Sequence, residues 1–567
     1  MLTRLLTVLR SNAALLVNTA ATVAALLVVA GSDAGAWVLA AAVLVVLAQV
    51  RPVAAVRGAL GRPGALTAPR FGLGSYSVSR TLGAVLVAVL DGSRPGVVVA
   101  GVLMLAVLAE SLLARTSGAW AQVVANAPWA RPARAPRAVL LVAPLGVVSL
   151  LVAVVLVALG RDVRATLALL VPTLLVGLLA AVRALAARRA RLRAQEGVRA
   201  GLESYAPRFV LYWEAGLETA YQVEMWLPYL ERLGEPFVVV LRHPRNLATV
   251  AALTDRPVVV LRAMDELDAI LVPSLTTAFY VNNSIRNCHL VRFTELTHVQ
   301  LNHGDSDKAP SFNPVMRMYD LNFVAGQAAI DRYAANGVVT REDFFRVVGR
   351  PQVAGVEPSS ARPAGAPTTV LYAPTWAGFM ADSNYSSLLQ GPAMVRELVR
   401  REVTVVFRPH PHAWRSPDLA AACREIEQVL ADDAAASGRA HLFGAAAATE
   451  MSVVDCFNAA DAMISDVSSV VPDFLFSGKP FALVAVGVTT EEFRAANPVA
   501  RGAYVVDEAL TTLGDALDAL LHEDPLRAER LRLRTYYLGD VERADYEECF
   551  LEAAREVVAG TAVRPEA

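Results

Sequence analysis

The chain has 567 residues, 52 basic against 53 acidic, with 55% hydrophobic residues and a mean hydropathy of +0.43. That hydropathy is too high for a purely soluble enzyme, and the length suggests about three domains. Charge is segregated: residues 1–199 carry 20 Arg and five acids, whereas residues 200–567 carry a net charge of −16, which excludes nucleic acid as a partner of the acidic part because backbone phosphates need clustered positive charge.

The front third reads as membrane. A bilayer core of roughly 30 Å needs about 20 mostly apolar residues per helix. Segments 13–30, 34–50, 96–114, 138–159 and 165–187 meet or approach that, and 73–90 is a weaker sixth because Arg80 lies within it. No small-residue cleavage site follows the first segment, so a retained helix is expected. With six spans, one set of loops and termini holds 17 Arg and the other only Arg94, Arg161 and Arg164. Cytoplasmic loops carry the positive excess, which predicts a multi-pass protein of the cell membrane with everything after residue 199 in the cytoplasm. Arg80 and Glu110 read as snorkelling residues near helix ends, with a transport role as the alternative.

From Pro207 short apolar runs alternate with amphipathic stretches. Strands are predicted at 209–213, 237–241, 258–261, 278–281, 298–302 and 321–325, with a helical run from Thr219 to Leu233. The segment PSSARPAGAP (358–367) reads as a linker. Strands resume at 368–374, 403–409, 441–444, 462–465 and 480–486. β-branched runs separated by helices imply parallel sheets buried on both faces. The predicted class is α/β: a GT-B-like pair of Rossmann-type domains preceded by an all-α multi-span membrane domain. The expected domains are 1–199, 200–357 and 366–567, the last a donor-binding domain ending in helices.

Four polar motifs directly follow strands, where open α/β sheets bind ligands. His303-Gly304-Asp305-Ser306-Asp307-Lys308 follows HVQLN, Pro374-Thr375-Trp376 follows LYA, Arg408-Pro409-His410-Pro411-His412 follows VVF, and Asp466-Val467-Ser468-Ser469 follows AMIS. A Ser pair at the start of a helix suits an anion such as a pyrophosphate, with an ordinary N-cap as the bland alternative. The two prolines hold Arg408 and His410 in an extended stretch, and Arg offers a fork to phosphate. His303 is a candidate general base, its Gly304 neighbour permitting close approach. No ligand set predicts a metal; a divalent cation remains without residues to hold it. The four cysteines (Cys288, Cys423, Cys456, Cys549) form no CxxC pair and read as reduced thiols. Of the 52 basic residues only Lys308 and Lys479 are lysine, which marks these two as places where a compact point charge serves better than a planar fork.

The ordered set HG(x)3K, YAPTW, RPHP, SDVSSVVPD and SGKP, spread over roughly 205–560, resembles the CDP-glycerol glycerophosphotransferase family, which builds teichoic acids. The resemblance implies a membrane-associated GT-B enzyme that moves glycerol phosphate from CDP-glycerol, or a related CDP-alcohol, to a hydroxyl of a lipid-linked acceptor and releases CMP. It places the functional histidines at His303 and His410. It places donor binding at Gly304, Asp305, Ser306, Asp307, Lys308, Pro374, Thr375, Arg408, Pro409, Ser468, Ser469 and Asp473, with Lys479 in or near the site. Two departures stand out. The family loop HGTPLK is HGDSDK here, and the Gly-x-Pro-Arg between the domains becomes Gly349-Arg350-Pro351-Gln352, so that Arg350 is left to supply the charge. The rival readings are a nucleotide-sugar glycosyltransferase on the same fold and an exporter or scaffold whose cytoplasmic part only binds nucleotide.

Overall fold

Runs such as FVLYW and FVVVL pack β-branched and aromatic side chains on both faces of the backbone, which favours strands in the middle of a covered sheet. The computed structural model describes residues 73–116, 123–130, 138–216, 219–304, 307, 309–360, 368–378 and 384–560. Among these, thirteen strands follow in chain order. They are β1 Val124–Ala125, β2 Phe209–Trp213, β3 Phe237–Leu241, β4 Val258–Val260, β5 Thr277–Tyr280, β6 Thr297–Gln300, β7 Leu321–Val324, β8 Phe345–Val347, β9 Thr369–Ala373, β10 Thr404–Phe407, β11 Ala462–Ser465, β12 Phe481–Ala485 and β13 Tyr504–Asp507. Two compact units divide the chain, Met1–Ser204 with Leu241–Leu271 and Tyr205–Val240 with Val272–Ala567.

In the first unit, helices Leu73–Asp91, Arg94–Thr116, Ala138–Ala158 and Leu167–Tyr205 are described, with β1 antiparallel to β4. Ala84, Val87, Val99, Leu103, Leu150, Ala153, Val154 and Leu170 form their shared core. Ser149 and Thr173 return their hydroxyls to carbonyls four residues back, at 2.8 and 2.7 Å, so neither polar group is left unsatisfied among apolar neighbours. Arg80, expected to snorkel, is instead only 5% exposed. Among the described residues one helix is long and apolar enough to cross a membrane by length and composition, Val163–Arg183; Arg94–Val107 and Leu145–Val157 are shorter apolar stretches. The segments at 13–30 and 34–50 lie outside the described residues.

The second unit holds two sheets. In the first the strand order is β3-β2-β5-β6-β7-β8, with β5 through β8 added in parallel. In the second, parallel throughout, the order is β10-β9-β11-β12-β13. Both are open sheets whose order reverses once, between β2 and β5 and between β9 and β11, and such switch points are where α/β sheets open a crevice. This is the GT-B-like pairing of Rossmann-type sheets.

The end of the chain joins the two sheets. Gly326, before β7's following helix, abuts the backbone of the Arg527–Leu538 helix so closely that a Cβ there would lie 2.6 Å from Tyr536 O. Phe550 of the Tyr546–Ala559 helix packs on Trp226 at 5.0 Å between ring centres and on Phe323 at 6.2 Å.

Some elements differ from expectation. The run from Thr219 to Leu233 is two short helices, Tyr221–Glu224 and Leu227–Glu231, because Pro228 lacks an N–H and starts a new helix rather than continuing one. HLFG contributes a single bridge, Leu442 to Val406. β8 and β13 were not anticipated: β8 alternates Phe, Arg and Val at a sheet edge, and its three residues give little apolar signal.

Candidate functional site

In the second sheet the strands on either side of the switch point present their carboxyl ends together. The loop after β9 carries Pro374 and Thr375, that after β10 carries Arg408 to His412, and that after β11 carries Asp466 to Ser469. Asp466 is fully buried and ties them. Its carboxylate accepts from the Thr375 N–H at 2.9 Å and from the N–H and hydroxyl of Ser387 at 2.9 and 3.1 Å. The His410 N–H donates to Pro374 O at 3.0 Å. Thr375 is thereby positioned by its backbone, and Pro409 fixes the chain between Arg408 and His410.

The His410 ring stacks on Trp376, 6.0 Å between centres and 24° apart, with His412 edge-on to both. Its Nδ1 accepts the His412 N–H at 3.1 Å. An N–H can only donate, so the neutral ring carries its proton on Nε2. Arg408 does not extend into the cleft: its Nη1 donates to the carbonyls of Ala447 and Met451, the latter at 2.8 Å. Ser468 and Ser469 stand just before the six-residue helix Val470–Leu475, and Ser469 makes no side-chain capping bond to it.

Across from them, β6 ends at Gln300. Asn302 then takes a positive φ of 61°, a conformation Asn tolerates. Its side-chain amide is held by Asn322 Oδ1 at 2.8 Å, and its carbonyl by Trp226 Nε1 at 2.6 Å. This kink, which no sequence signal marked, turns His303 out of the strand direction. His303 Nδ1 faces Val281 O at 3.1 Å. A carbonyl can only accept, so Nδ1 is protonated and Nε2 keeps its lone pair. Burial, with the nearby Arg350 charge against it and the Val281 bond in its favour, lowers the His303 pKa from 6.5 to about 4. The two histidines therefore have opposite tautomers.

Gly304 brings the halves into contact. A Cβ on it would sit 3.0 Å from Ser469 Cβ and 3.2 Å from its Oγ, so the loop after β6 meets the Ser pair after β11. Arg350, which follows β8, reaches Asp473 in the helix behind that pair: its Nε faces Oδ1, and its Nη2 donates to Oδ2 at 3.1 Å.

Two residues expected near the donor have other partners. Asp307 is enclosed by Arg332, 3.0 Å from Oδ1, and by the Tyr537 hydroxyl, 2.8 Å from Oδ2; both oxygens of this carboxylate, which the family loop lacks, are engaged by protein groups. Lys479 is held by the protein's own backbone. Its Nζ is buried and donates to the carbonyls of Phe457 and Ala460 at 2.8 and 2.7 Å, at the end of the Val453–Ala459 helix. Three donors on one small centre meet converging carbonyls there, which an Arg fork does not do. Asp305, Ser306 and Lys308 lie outside the described residues. Among the described residues no group of His, Cys, Asp or Glu is arranged to hold a metal, and the four cysteines are free thiols.

Residues 340–494 match the family described as CDP-Glycerol:Poly(glycerophosphate) glycerophosphotransferase. The matched stretch, about a quarter of the chain, is like that of a CDP-glycerol glycerophosphotransferase, a transferase. The match takes in Arg350, His410, Ser468, Ser469 and Asp473 and stops short of His303. No curated protein matches the sequence. Among solved structures, the wall teichoic acid polymerase TagF is similar at 10% identity over 66% of this chain and 96% of that one, with a TM-score of 0.38. An MnaA–UDP structure from S. aureus gives 13% identity, 63% and 98% coverage and a TM-score of 0.42. A UDP-N-acetylglucosamine 2-epimerase described as such from Listeria monocytogenes gives 13%, 63%, 98% and 0.40.

Proposed function

We propose that the protein transfers glycerol phosphate, or a related polyol phosphate, from a CDP-activated donor to a hydroxyl of a lipid-linked acceptor at the cell membrane. An acceptor hydroxyl attacks the donor's β-phosphorus. An O–P bond forms, the bond from that phosphorus to the bridging oxygen breaks, and CMP departs with the electron pair. His303 Nε2 takes the hydroxyl proton. His410 Nε2–H and the Ser468 and Ser469 hydroxyls donate to phosphate oxygens, where charge is held during transfer. The opposite tautomers of the two histidines carry this reading: one ring is set to accept a proton, the other to donate a hydrogen bond.

A membrane setting is supported by the Val163–Arg183 helix, whose Leu175 and Leu178 turn outward at 62% and 64% exposed, and by the Arg asymmetry of residues 1–199. Six spans and a cytoplasmic catalytic unit are the arrangement we infer from that asymmetry.

The test is product analysis with protein in native membranes, offering CDP-glycerol, CDP-ribitol and UDP-sugars. CMP release that depends on added acceptor supports the reading. UDP release from a nucleotide sugar, without CMP, makes the protein a glycosyltransferase instead.

A further inference from the structure

A buried ion pair stabilises a fold little, because desolvating two charges costs about what their attraction returns. Arg350 and Asp473 nevertheless form one, at 8% and 13% side-chain exposure, between residues 123 positions apart on the two sheets' sides of the cleft. The backbone of Arg350 is fixed from three directions. Its N–H donates to the Tyr546 hydroxyl at 3.2 Å. Gly349 takes a positive φ of 70° beneath the Tyr546 ring, where a Cβ would lie 3.0 Å from Cζ. Pro351 follows, and its carbonyl accepts from the Tyr229 hydroxyl at 3.0 Å. Asp473 stands four residues after Ser469, which itself touches Gly304 beside His303. The guanidinium is also close enough to His303 for its charge to oppose protonation of that ring. Three other cations of the motifs and their surroundings have commitments elsewhere: Arg408 Nη1 on backbone carbonyls, Lys479 on a helix end, Arg332 on Asp307.

We propose that Arg350 is the charge-stabilising residue of the transfer, facing the transferred phosphoryl group, and that Asp473 is the positioning residue that aims it rather than a ligand of the donor. This rests on the phosphotransferase reading above and gives the Arg350 charge a partner, Asp473, that aims it. An Arg fork held by a carboxylate presents its donors in a fixed plane, so no reorganisation is needed as charge shifts onto the phosphoryl oxygens and the leaving CMP. The same charge adds to burial, the larger cause, in keeping the proton acceptor His303 uncharged at neutral pH. Tyr221, whose ring lies 6.3 Å from that of His303, has its ionisation pushed up by desolvation and stays neutral there.

The experiment uses the full chain in lipid nanodiscs, wild type and Arg350→Gln, Arg350→Lys and Asp473→Asn. Acceptor-dependent CMP release, CDP-glycerol affinity by calorimetry, melting temperature and the titration of His303 in ¹⁵N-histidine-labelled protein are read together. Arg350→Gln is expected to lower kcat about 10²–10³-fold, to weaken donor binding much less, and to move the His303 titration to higher pH. Arg350→Lys keeps the charge, so it restores the His303 titration but only part of kcat. Asp473→Asn lowers kcat while donor affinity holds. An Arg350→Gln protein with full kcat and an unmoved His303 titration, altered only in melting temperature, makes the pair a structural strut and overturns the proposal. Asp473→Asn that loses donor affinity at unchanged kcat makes Asp473 the donor ligand and overturns its half. Wild-type protein that releases no CMP refutes the donor reading itself, and the titration, which needs no turnover, still decides whether Arg350 governs His303.

Discussion

His303 shows how one hydrogen bond sets a residue's chemistry. The Val281 carbonyl fixes the proton on Nδ1, and burial brings the pKa to about 4, so the ring is neutral throughout the neutral range. Because the folded value is below the unfolded one, the unfolded chain binds more protons between pH 6.5 and 4. The stability associated with neutral His303 is thus fully present above about pH 6.5 and is lost as pH falls towards 4. Urea unfolding of wild type and His303→Gln across that window is expected to show a steeper loss in wild type; identical slopes would place the ring in an ordinary solvated setting. The sequence identified His303 as a base candidate from its position after a strand. It did not reveal the tautomer, because that depends on a carbonyl 22 residues away, nor the Asn302 kink, because nothing in an isolated Asn marks positive φ.

At the scale of elements, one of the two lysines among 50 arginines has a structural use. Lys479 closes the Val453–Ala459 helix by donating to its terminal carbonyls. Lys479→Arg places a larger, planar group in a closed space and is expected to cost about 1–3 kcal/mol of stability, with donor affinity unchanged; a variant as stable as wild type would show the pocket to be tolerant. Gly304 is the converse case, a contact between two loops. Gly304→Ala pushes against Ser469 at 3.0 Å and is expected to lower kcat/KM by up to about 10²-fold, the effect of displacing reacting groups by less than about 1 Å, while the melting temperature barely changes. Equal kcat/KM would mean the two loops separate in the working enzyme. The motif strands were legible because β-branched runs and their following Gly, Pro and Ser are local signals. β8 and the break at Pro228 were not, since a three-residue edge strand and a helix restart depend on neighbours far along the chain.

For the whole molecule, the alternation of strands and helices gave both Rossmann-type sheets, and strand order places the switch point of the second between β9 and β11, where the Pro374 and Asp466 loops begin, whereas the His303 loop follows β6, one strand beyond the switch point of the first. What alternation could not give is the return of the C-terminal helices to the first sheet, with Phe550 on Trp226 and Tyr537 on Asp307, because packing partners hundreds of residues apart leave no periodic trace. The Arg asymmetry belongs to this scale too. A reporter fused after Arg199 is expected to be cytoplasmic; activity of a surface-exposed reporter there would reverse the inferred orientation. The decisive measurement is the pH dependence of kcat/KM for CMP release from CDP-glycerol by wild type, His303→Ala and His410→Ala. With His303 as base, wild type keeps its activity well below pH 6.5 and its acidic limb falls towards pH 4. His303→Ala then loses that limb and about 10²–10⁴-fold in rate, and His410→Ala loses rate with the limb retained. An acidic limb that survives in His303→Ala and vanishes in His410→Ala would contradict the assignment and exchange the roles of the two histidines.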